Sequence, residues 1–600
     1  MKVQILTSHK GTAPGDIFIA PFKDFAVMSP LVGQPGPLIL DNQGRPIWSH
    51  PVPSTQEALD FQTQTLNGKP VLSWWQGPLI LPPATPAGVP VAGQGAFYIY
   101  DQHYKPIAKI TGQNGWTADP HEFLITSKGT AIFPVVKQVT ANLSAFKNGS
   151  ATGTYEDNGV QEVDLKTRKL VFQWDFAGHI PLTESQVGIP PVPGAVWDPY
   201  HINSVDDDGF GHLLISARDS WSVYKISQKT GNLIWTLGGN RSTFKPGPNA
   251  DFSFQHDARF VSNNEISMFD DSCCNLPIGK PSRFARGLVL KLDTTARTST
   301  VVSSYTHNPG LDVATQGSMQ TLSTGNVFMG WGQQPLYSEY TSSGKLLYDA
   351  RLPDANESYR TLRYLWTGKP LTKPSVVVHR TAGKVTLYTS WNGATDVLRY
   401  EVLAGSGKKR LTKVKTVARR GFETTIRFKS GRAKFEVKAL GAKAKVLGTS
   451  ALVKPTKPAA ASAASGTSIG THKLSNLGTV LVNSSGHTLY VFGKDAKNKS
   501  NCSGSCAGTW KPVIASGKLS AKSGVTSRLL GTIKRSDGKT QVVYNHHPLY
   551  TYVKDKKAGD KHGEGANQFG AHWYVLNTKG NTVKPKSGGV GNCNPLCTGY

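Results

Sequence analysis

HINSVDDDGFGHLLISARDSWSVYKISQKTGNLIW, residues 201–235, holds a short alternating run, a Gly-rich turn, a second apolar run, and then a polar turn flanked by further β-formers. That is the pattern of consecutive β-hairpins. Its first hairpin recurs as HEFLITSKGTAIF from 121 and HDARFVSNNEISMF from 256, each headed by histidine. Its last turn recurs as well. DNQGRPIW (41–48), DQHYKPIAKI (101–110), DLKTRKLVFQW (164–174), SQKTGNLIW (227–235), DTTARTSTVV (293–302) and TSSGKLLY (341–348) start at intervals of 60, 63, 63, 66 and 48 residues. A regular period, several strands per unit, aromatic residues closing hairpins and almost no helical periodicity predict an all-β chain with a six-bladed β-propeller at its front. Two stacked sandwiches are the other all-β reading, but sandwiches need no regular period. LNGKPVLSWWQG (66–77) and GSMQTLSTGNVFMGWG (317–332) read as further inner hairpins. Innermost strands of a propeller line a central channel, so the first residues of these hairpins gather at one mouth. His121, His201 and His256 are therefore expected to converge.

The chain has 600 residues, too many for one ordinary core, and its net charge of +28 is unevenly spread. Residues 1–360 carry 27 basic and 30 acidic side chains, whereas residues 361–600 carry 40 and 9. The front is a near-neutral globular region; the back is a polycation drawn to acidic polymers or surfaces. No nucleic-acid recognition motif accompanies the scattered lysines, so an anionic cell-wall or envelope polymer is the expected partner rather than specific nucleic acid, with a merely solvated basic surface as the plain alternative. No run of eighteen apolar residues is present, so no transmembrane segment is expected. The first thirty residues show Lys2 but no apolar core of a signal peptide. The six cysteines fall in three close pairs, 273/274, 502/506 and 593/597. An even number leans towards an oxidising compartment, and the two C-x-x-x-C spacings are only a weak zinc signal.

Beyond the repeats, residues 372–453 hold the alternating runs VVVHRTAGKVTLYTSW, LRYEVLAGS and KFEVKAL, which read as a small sandwich of the fibronectin type III kind. KPTKPAAASAASGTS (454–468) reads as a linker. Residues 469–600 contain a duplication: LVNSSGHTLYVFGKD (481–495) resembles VVYNHHPLYTYVKD (542–555), each followed by a tryptophan, Trp510 and Trp573. Both copies carry Tyr-x-aromatic-x-x-Asp, with Tyr490, Phe492 and Asp495 in one and Tyr550, Tyr552 and Asp555 in the other, positions that read as packing and turn residues.

HINSVDDDGFGHLLISARDSWSVYKISQKTGNLIWTLGGN (201–240) followed by FQHDARF (254–260), with WWQG at 74–77 and DPHEF at 119–123, resembles the arylsulfotransferase (ASST) family in its actinobacterial and fungal branch. The resemblance covers most of residues 1–366. It implies a six-bladed propeller that moves a sulfuryl group from a phenolic sulfate ester to a phenol through a sulfohistidine intermediate, with no cofactor. By order and local motif it places the nucleophile on His256, the family's H-x-N pair on His201 and Asn203, its arginine on Arg218, and its first channel histidine on His121. Its partners would be small phenolic sulfate donors and phenol acceptors. Family members normally carry a secretion signal, so an extracellular or cell-envelope location is implied although none is visible here. The duplicated tail resembles a secreted repeat of unknown function found in lipoprotein-like bacterial proteins.

The same residues support that chemistry by themselves. Sulfuryl transfer resembles phosphoryl transfer, with a loose in-line transition state and charge on the equatorial oxygens and the leaving phenol. A neutral imidazole is an adequate nucleophile when an acceptor holds its other nitrogen. Asp257 adjoins His256, but neighbours on a strand face opposite ways, so it is a doubtful holder. Arg218 offers a planar, permanently charged donor for sulfuryl oxygens. His201 or His121 would move the phenolic proton. Trp74, Trp75, Trp197 and Trp221 are candidates for the apolar walls that an aromatic substrate needs. Three histidines also suit zinc, but no carboxylate clearly completes that pattern, so no metal is expected. LGGN (237–240) lacks the Lys-Ser/Thr of a phosphate loop. A strand histidine taken alone is more often structural. The competing expectation is an inactive secreted propeller serving as a cell-surface binding or scaffold protein.

Overall fold

The computed structural model describes residues 2–23, 31–80, 89–90, 94–192, 194–273, 284–353, 356–407, 410–456, 467–515 and 519–583. Most of the linker, and Cys274, Cys593 and Cys597, fall outside them. The chain forms two compact units, Met1–Val378 with Gly383–Pro455, and His379–Ala382 with Thr456–Tyr600.

Residues 201–235 become the inner three strands of a four-stranded antiparallel sheet, Ile202–Asp207, His212–Ala217 and Ser222–Ser227, plus the first half of the fourth, Leu233–Gly238. The first reversal uses Gly209 and Gly211 at φ 73° and 91°, and the last uses Gly231 at φ 72°, left-handed values that glycine adopts without a Cβ clash. Both faces of this sheet are covered. Ile202, Val205, Leu213, Ile215 and Tyr224 pack on Val160, Trp174 and Phe176 of the sheet before it. Leu214, Val223 and Leu237 pack on Ile266, Met268, Leu288 and Leu290 of the sheet after it. A sheet apolar on two faces must have two sheet neighbours, which favours a ring over a pair of stacked sandwiches.

Among the described residues six such antiparallel sheets occur between Gln4 and Tyr364. Each of the six polar turns read from the sequence joins the third and fourth strands of its sheet, and each histidine-headed hairpin is an innermost pair. The innermost strands follow one another round a closed circuit. Leu362–Tyr364 meets Glu57–Leu66, which meets Leu124–Ile125; Thr130–Ala141 of that same sheet meets Ile202–Asp207, then come His256–Ser262 and Ser318–Thr321, which returns to Leu362–Tyr364. Both ends of the repeat region close it: Gln4–Ser8 adds the outermost strand to the sixth sheet, beside Leu346–Arg351, and Leu362–Tyr364 adds the innermost strand to the first, beside Asp16–Ile19. The all-β, propeller-type expectation holds.

The rest of the first unit holds two further sheets that pack face to face. Strands Lys384–Ser390 and Glu423–Lys429 pair in one sheet, and Thr412–Ala418, Arg399–Gly405, Lys434–Leu440 and Val446–Thr449 form the other. Val385, Leu387, Tyr400, Val402, Ile426, Phe435 and Val437 fill the space between them. Asn392 seats this sandwich on the first sheet, exchanging two 3.0 Å hydrogen bonds with the backbone of Ser49.

In the second unit the duplication is a mutual embrace. Tyr490–Phe492 and Tyr550–Tyr552 pair antiparallel at Tyr490 and Tyr550. Each tyrosine then donates to the aspartate of the other copy, Tyr490 to Asp555 at 2.6 Å and Tyr550 to Asp495 at 2.7 Å. Trp510 and Trp573 stack at 3.9 Å in the middle. The packing role expected for these residues is what they have. Cys502 and Cys506 are joined in a disulfide, which removes both thiolates from any zinc site.

Candidate active site

Local sequence turns each of the three histidines inward. Asp119-Pro120-His121 and Asp198-Pro199-Tyr200-His201 are Asp-Pro turns whose carboxylates accept the backbone N–H of the histidine, at 3.1 and 3.0 Å. The same aspartates accept from the imidazoles: Asp119 Oδ1 lies 2.5 Å from His121 Nδ1, and Asp198 Oδ2 lies 2.6 Å from His201 Nδ1. His256, the first residue of His256–Ser262, has the equivalent partner in Asp271, with Oδ2 at 2.6 Å from Nδ1. All three imidazoles are thus held at Nδ1 by a carboxylate, an arrangement that leaves Nε2 as the working nitrogen.

The structure brings His121, His201, His256 and Arg218 together. The rings of His121 and His201 meet edge to face at 4.8 Å. His256 is wholly buried and its Nε2 accepts the N–H of Gln316 at 3.2 Å. Burial, with the nearby positive charges of Arg218, His201 and His121, holds the His256 pKa well below its ordinary value. Burial likewise pushes the Asp271 pKa well above the usual carboxylate range. His201 differs. Burial opposes its charged form, but the Asp198 carboxylate, by charge and hydrogen bond, and Asp219 outweigh that and raise its pKa. The pKa values of His256 and His201 are thus driven apart.

Arg218 lies over the Phe254 ring at 4.6 Å, bonds Asp219 at 2.5 Å and the carbonyl of Ala314 at 2.9 Å, and keeps a buried Nε without a partner. Trp221 packs on the same Phe254 ring at 5.1 Å, and its buried Nε1 is also unpartnered. Unsatisfied buried donors are costly, so each is a candidate to receive an acceptor. Asn203 sits at the inner strand as expected, with its amide donating to the carbonyl of Gln255 at 2.6 Å and its Oδ1 buried and unpaired.

Trp74 and Trp75 are not brought to the imidazoles. Both are fully buried, Trp74 among Trp48, Phe61 and Tyr98, and Trp75 in the next cluster with its Nε1 on the carbonyl of Ala118. A strand between two covered faces sends both neighbours of an alternating pair into core, which the apolar-wall argument overlooked. Trp197 likewise packs on Phe146, at 4.9 Å. Of the four tryptophans, only Trp221 stands beside Arg218.

A charged layer missed in the sequence lies against the site. Arg360 bonds Asp60 at 2.7 Å, Glu122 at 3.0 Å and the carbonyl of Asn203 at 3.0 Å. Arg259 bonds Glu122 and Asp257, each at 2.6 Å. Asp257 is therefore spent on this layer, as its opposite facing on the strand implied, and Asp271 holds His256 instead. Burial pushes Asp60 up to about 7. The DPH and DPYH turns were legible signals for Asp119 and Asp198; nothing local marks Asp271, Gln316, Tyr359 or Arg360. A surface cavity of about 240 Å³ lined by His179, Glu184, Tyr224, Trp235 and Arg241 contains none of these residues. Among the described residues no group of three His, Cys, Asp or Glu side chains is arranged to hold a metal ion, and no helix is long and apolar enough to cross a membrane.

Among solved structures the chain is similar to the periplasmic gluconolactonase of Pseudomonas aeruginosa, at 10% identity and a TM-score of 0.30 over 58% of this chain and 99% of that one. It is also similar to a catalytically inactive virginiamycin B lyase of Staphylococcus aureus with quinupristin, at 8% identity and 0.24 over 60% and 87%. Likenesses this low carry no functional argument. No curated protein matches the chain. Residues 472–514 and 531–577 match a secreted repeat of unknown function, the two copies described above. Residues 62–352, which carry all three histidines and Arg218, match the arylsulfotransferase (ASST) family, and the chain therefore contains an ASST-family domain.

Proposed function

We propose that this protein is an aryl sulfotransferase acting through a sulfohistidine at His256, with phenolic sulfate esters as donors and phenols as acceptors. The observation that carries the reading is the set of three imidazoles, each held at Nδ1 by its own aspartate, with the His256 pKa driven down and the His201 pKa driven up. In the first half-reaction His256 Nε2, released from the Gln316 N–H that it accepts at rest, attacks sulfur, the S–O bond to the donor phenol breaks, and His201 gives its proton to the departing phenolate. In the second, neutral His201 takes the proton of the acceptor phenol, whose oxygen attacks sulfur as the N–S bond breaks. His256 and protonated His201 are regenerated, so no proton or electron is gained or lost. Asp271 stabilises the Nδ1–H of the sulfated ring. Arg218 Nε and Trp221 Nε1 are the donors for sulfuryl oxygens, and Phe254 and Trp221 offer the aromatic wall. His121 lies against His201 and orients it, and Asn203 ties the strand after His201 to the carbonyl of Gln255, the neighbour of His256.

The direct test is incubation with a chromogenic aryl sulfate and a phenol, followed by mass spectrometry of the peptide holding His256. Phenol release with a sulfuryl increment on that histidine is the expected result. A folded protein that releases nothing across a broad donor panel would move the assignment to an inactive scaffold.

Two further outcomes are expected. Arg218→Lys keeps the charge but loses the planar donor, so kcat should fall by about 10²–10³-fold; steady-state kinetics check this, and a variant with native kcat refutes the sulfuryl-binding role. The pH profile should be bell-shaped. Activity needs His256 neutral, so it rises with pH through a pKa below the ordinary 6.5. It also needs His201 protonated, so it falls through a pKa above 6.5. An alkaline limb that survives in His201→Gln contradicts this assignment.

Boundaries at 1–366 for a six-bladed propeller, 372–453 for a fibronectin type III-like sandwich, 454–468 for a linker and 469–600 for the duplicated module complete the proposal. The secreted-repeat match supports an extracellular or cell-envelope location. The 40 basic against 9 acidic residues beyond 360 suit docking on an anionic envelope polymer.

A further inference from the structure

Tyr359 arrives at the imidazoles from an unexpected direction. It belongs to the short segment between the last strand of the sixth sheet and Leu362–Tyr364, the strand that closes the ring on the first sheet. Its contacts reach all three histidine-bearing segments. The ring stands edge-on to His121 at 5.2 Å and 74°, and to His256 at 6.3 Å and 69°. The hydroxyl donates at 2.9 Å to the carbonyl of Asn203, two residues beyond His201. The carbonyl accepts the Gly317 N–H at 3.2 Å, and the adjoining Gln316 N–H is the one bonded to His256 Nε2. Arg360, the next residue, clamps the segment through Asp60, Glu122 and the same Asn203 carbonyl.

In-plane hydrogen bonds, at Nδ1 of His121 and at Nδ1 and Nε2 of His256, leave each ring free to turn about the bonded atoms. In-line transfer needs the Nε2 lone pair aimed to within about 10–20°. A flat ring packed edge-on to two imidazoles and tied at both ends supplies the missing constraint. Tyr359 is 2% exposed, and burial holds its hydroxyl well above the ordinary range, so it serves as neither proton donor nor base.

We propose that Tyr359 is a positioning residue that sets the planes of His121 and His256, and that it makes their alignment depend on closure of the ring of sheets. This rests on the sulfotransferase reading for its consequence in turnover, but not for its effect on the imidazoles.

The test uses the full chain with Tyr359→Leu, which removes the ring, and Tyr359→Phe, which keeps the ring and removes one anchor. Two readouts are taken: aryl sulfate turnover, and the titration of each imidazole followed by NMR of ¹³C-labelled histidine without substrate. Tyr359→Leu should lower kcat by about 100-fold with KM nearly unchanged, as expected for a misplaced reacting group, and should shift the His121 and His256 resonances and raise the His256 titration point. Tyr359→Phe should lower kcat by about 5–10-fold and shift the same resonances less. If Tyr359→Leu does not fold, Tyr359→Phe decides: native kcat and native histidine resonances in that variant overturn the proposal. Unchanged resonances in a folded Tyr359→Leu overturn it as well. If the wild type transfers no sulfuryl group, the sulfotransferase reading fails, while the histidine resonances still decide the positioning role.

Discussion

His256→Ala should abolish sulfuryl transfer while the protein stays folded, with kcat falling by about 10⁴-fold or more. The size follows from the chemistry. Without Nε2 there is no covalent intermediate, and the remaining contribution comes only from Arg218, the neighbouring imidazoles and substrate positioning. His256 is wholly buried and bonded to a wholly buried Asp271, so truncation leaves that carboxyl without its partner at a cost of about 1–3 kcal/mol. His256→Asn therefore serves as the companion variant, because its amide can still meet Asp271. Equal loss in both, with unchanged melting temperature in the second, assigns the loss to the missing nucleophile. Retained turnover in either variant would remove His256 from that role.

Asp271→Asn should come next in size, lowering kcat by about 10²–10⁴-fold with almost no change in shape. The carboxylate at 2.6 Å from Nδ1 accepts a proton there and thereby leaves the lone pair on Nε2. An amide turned to donate would favour the opposite tautomer and block the attacking nitrogen. It would also remove the acceptor that steadies the Nδ1–H of the sulfated ring. The signature is a fall in kcat together with slower appearance of the sulfuryl adduct on His256, measured by rapid quench and mass spectrometry. Asp257→Asn is the contrast. Asp257 bonds Arg259 and the N–H of Met319 rather than His256, so its loss should reduce stability more than it alters the adduct rate. If the two variants behave alike, the assignment of Asp271 fails.

Both predictions concern contacts that are silent in the sequence to different degrees. The turns Asp119-Pro120-His121 and Asp198-Pro199-Tyr200-His201 place a carboxylate within three residues of each imidazole, where short-range turn geometry alone brings them together. The Asp271 contact spans fifteen residues and crosses a hairpin, so it depends on how Glu265–Asp270 ends beside His256–Ser262. Trp74 and Trp75 misled for a related reason. Large aromatic residues suit a substrate wall and a core equally well, and only the presence of sheets on both sides makes them core.

What the amino-acid sequence determined by itself was the set of hairpins, their order, the polar turns at the third-to-fourth strand reversals, and the station of His121, His201 and His256 at the heads of innermost strands. These follow from alternation of side chains and from turn chemistry, which act over a few residues. What only the tertiary structure decided was the company those histidines keep: Asp271 in place of Asp257, Gln316 at Nε2, and Tyr359 and Arg360 delivered from beyond the sixth sheet. Tyr359 lies 156 positions from the Asn203 carbonyl it bonds, and Arg360 lies 300 from Asp60. No local preference specifies such pairs. They form because the strand Leu362–Tyr364 returns to the first sheet, and burial at the point of closure favours pairing of the charges brought there.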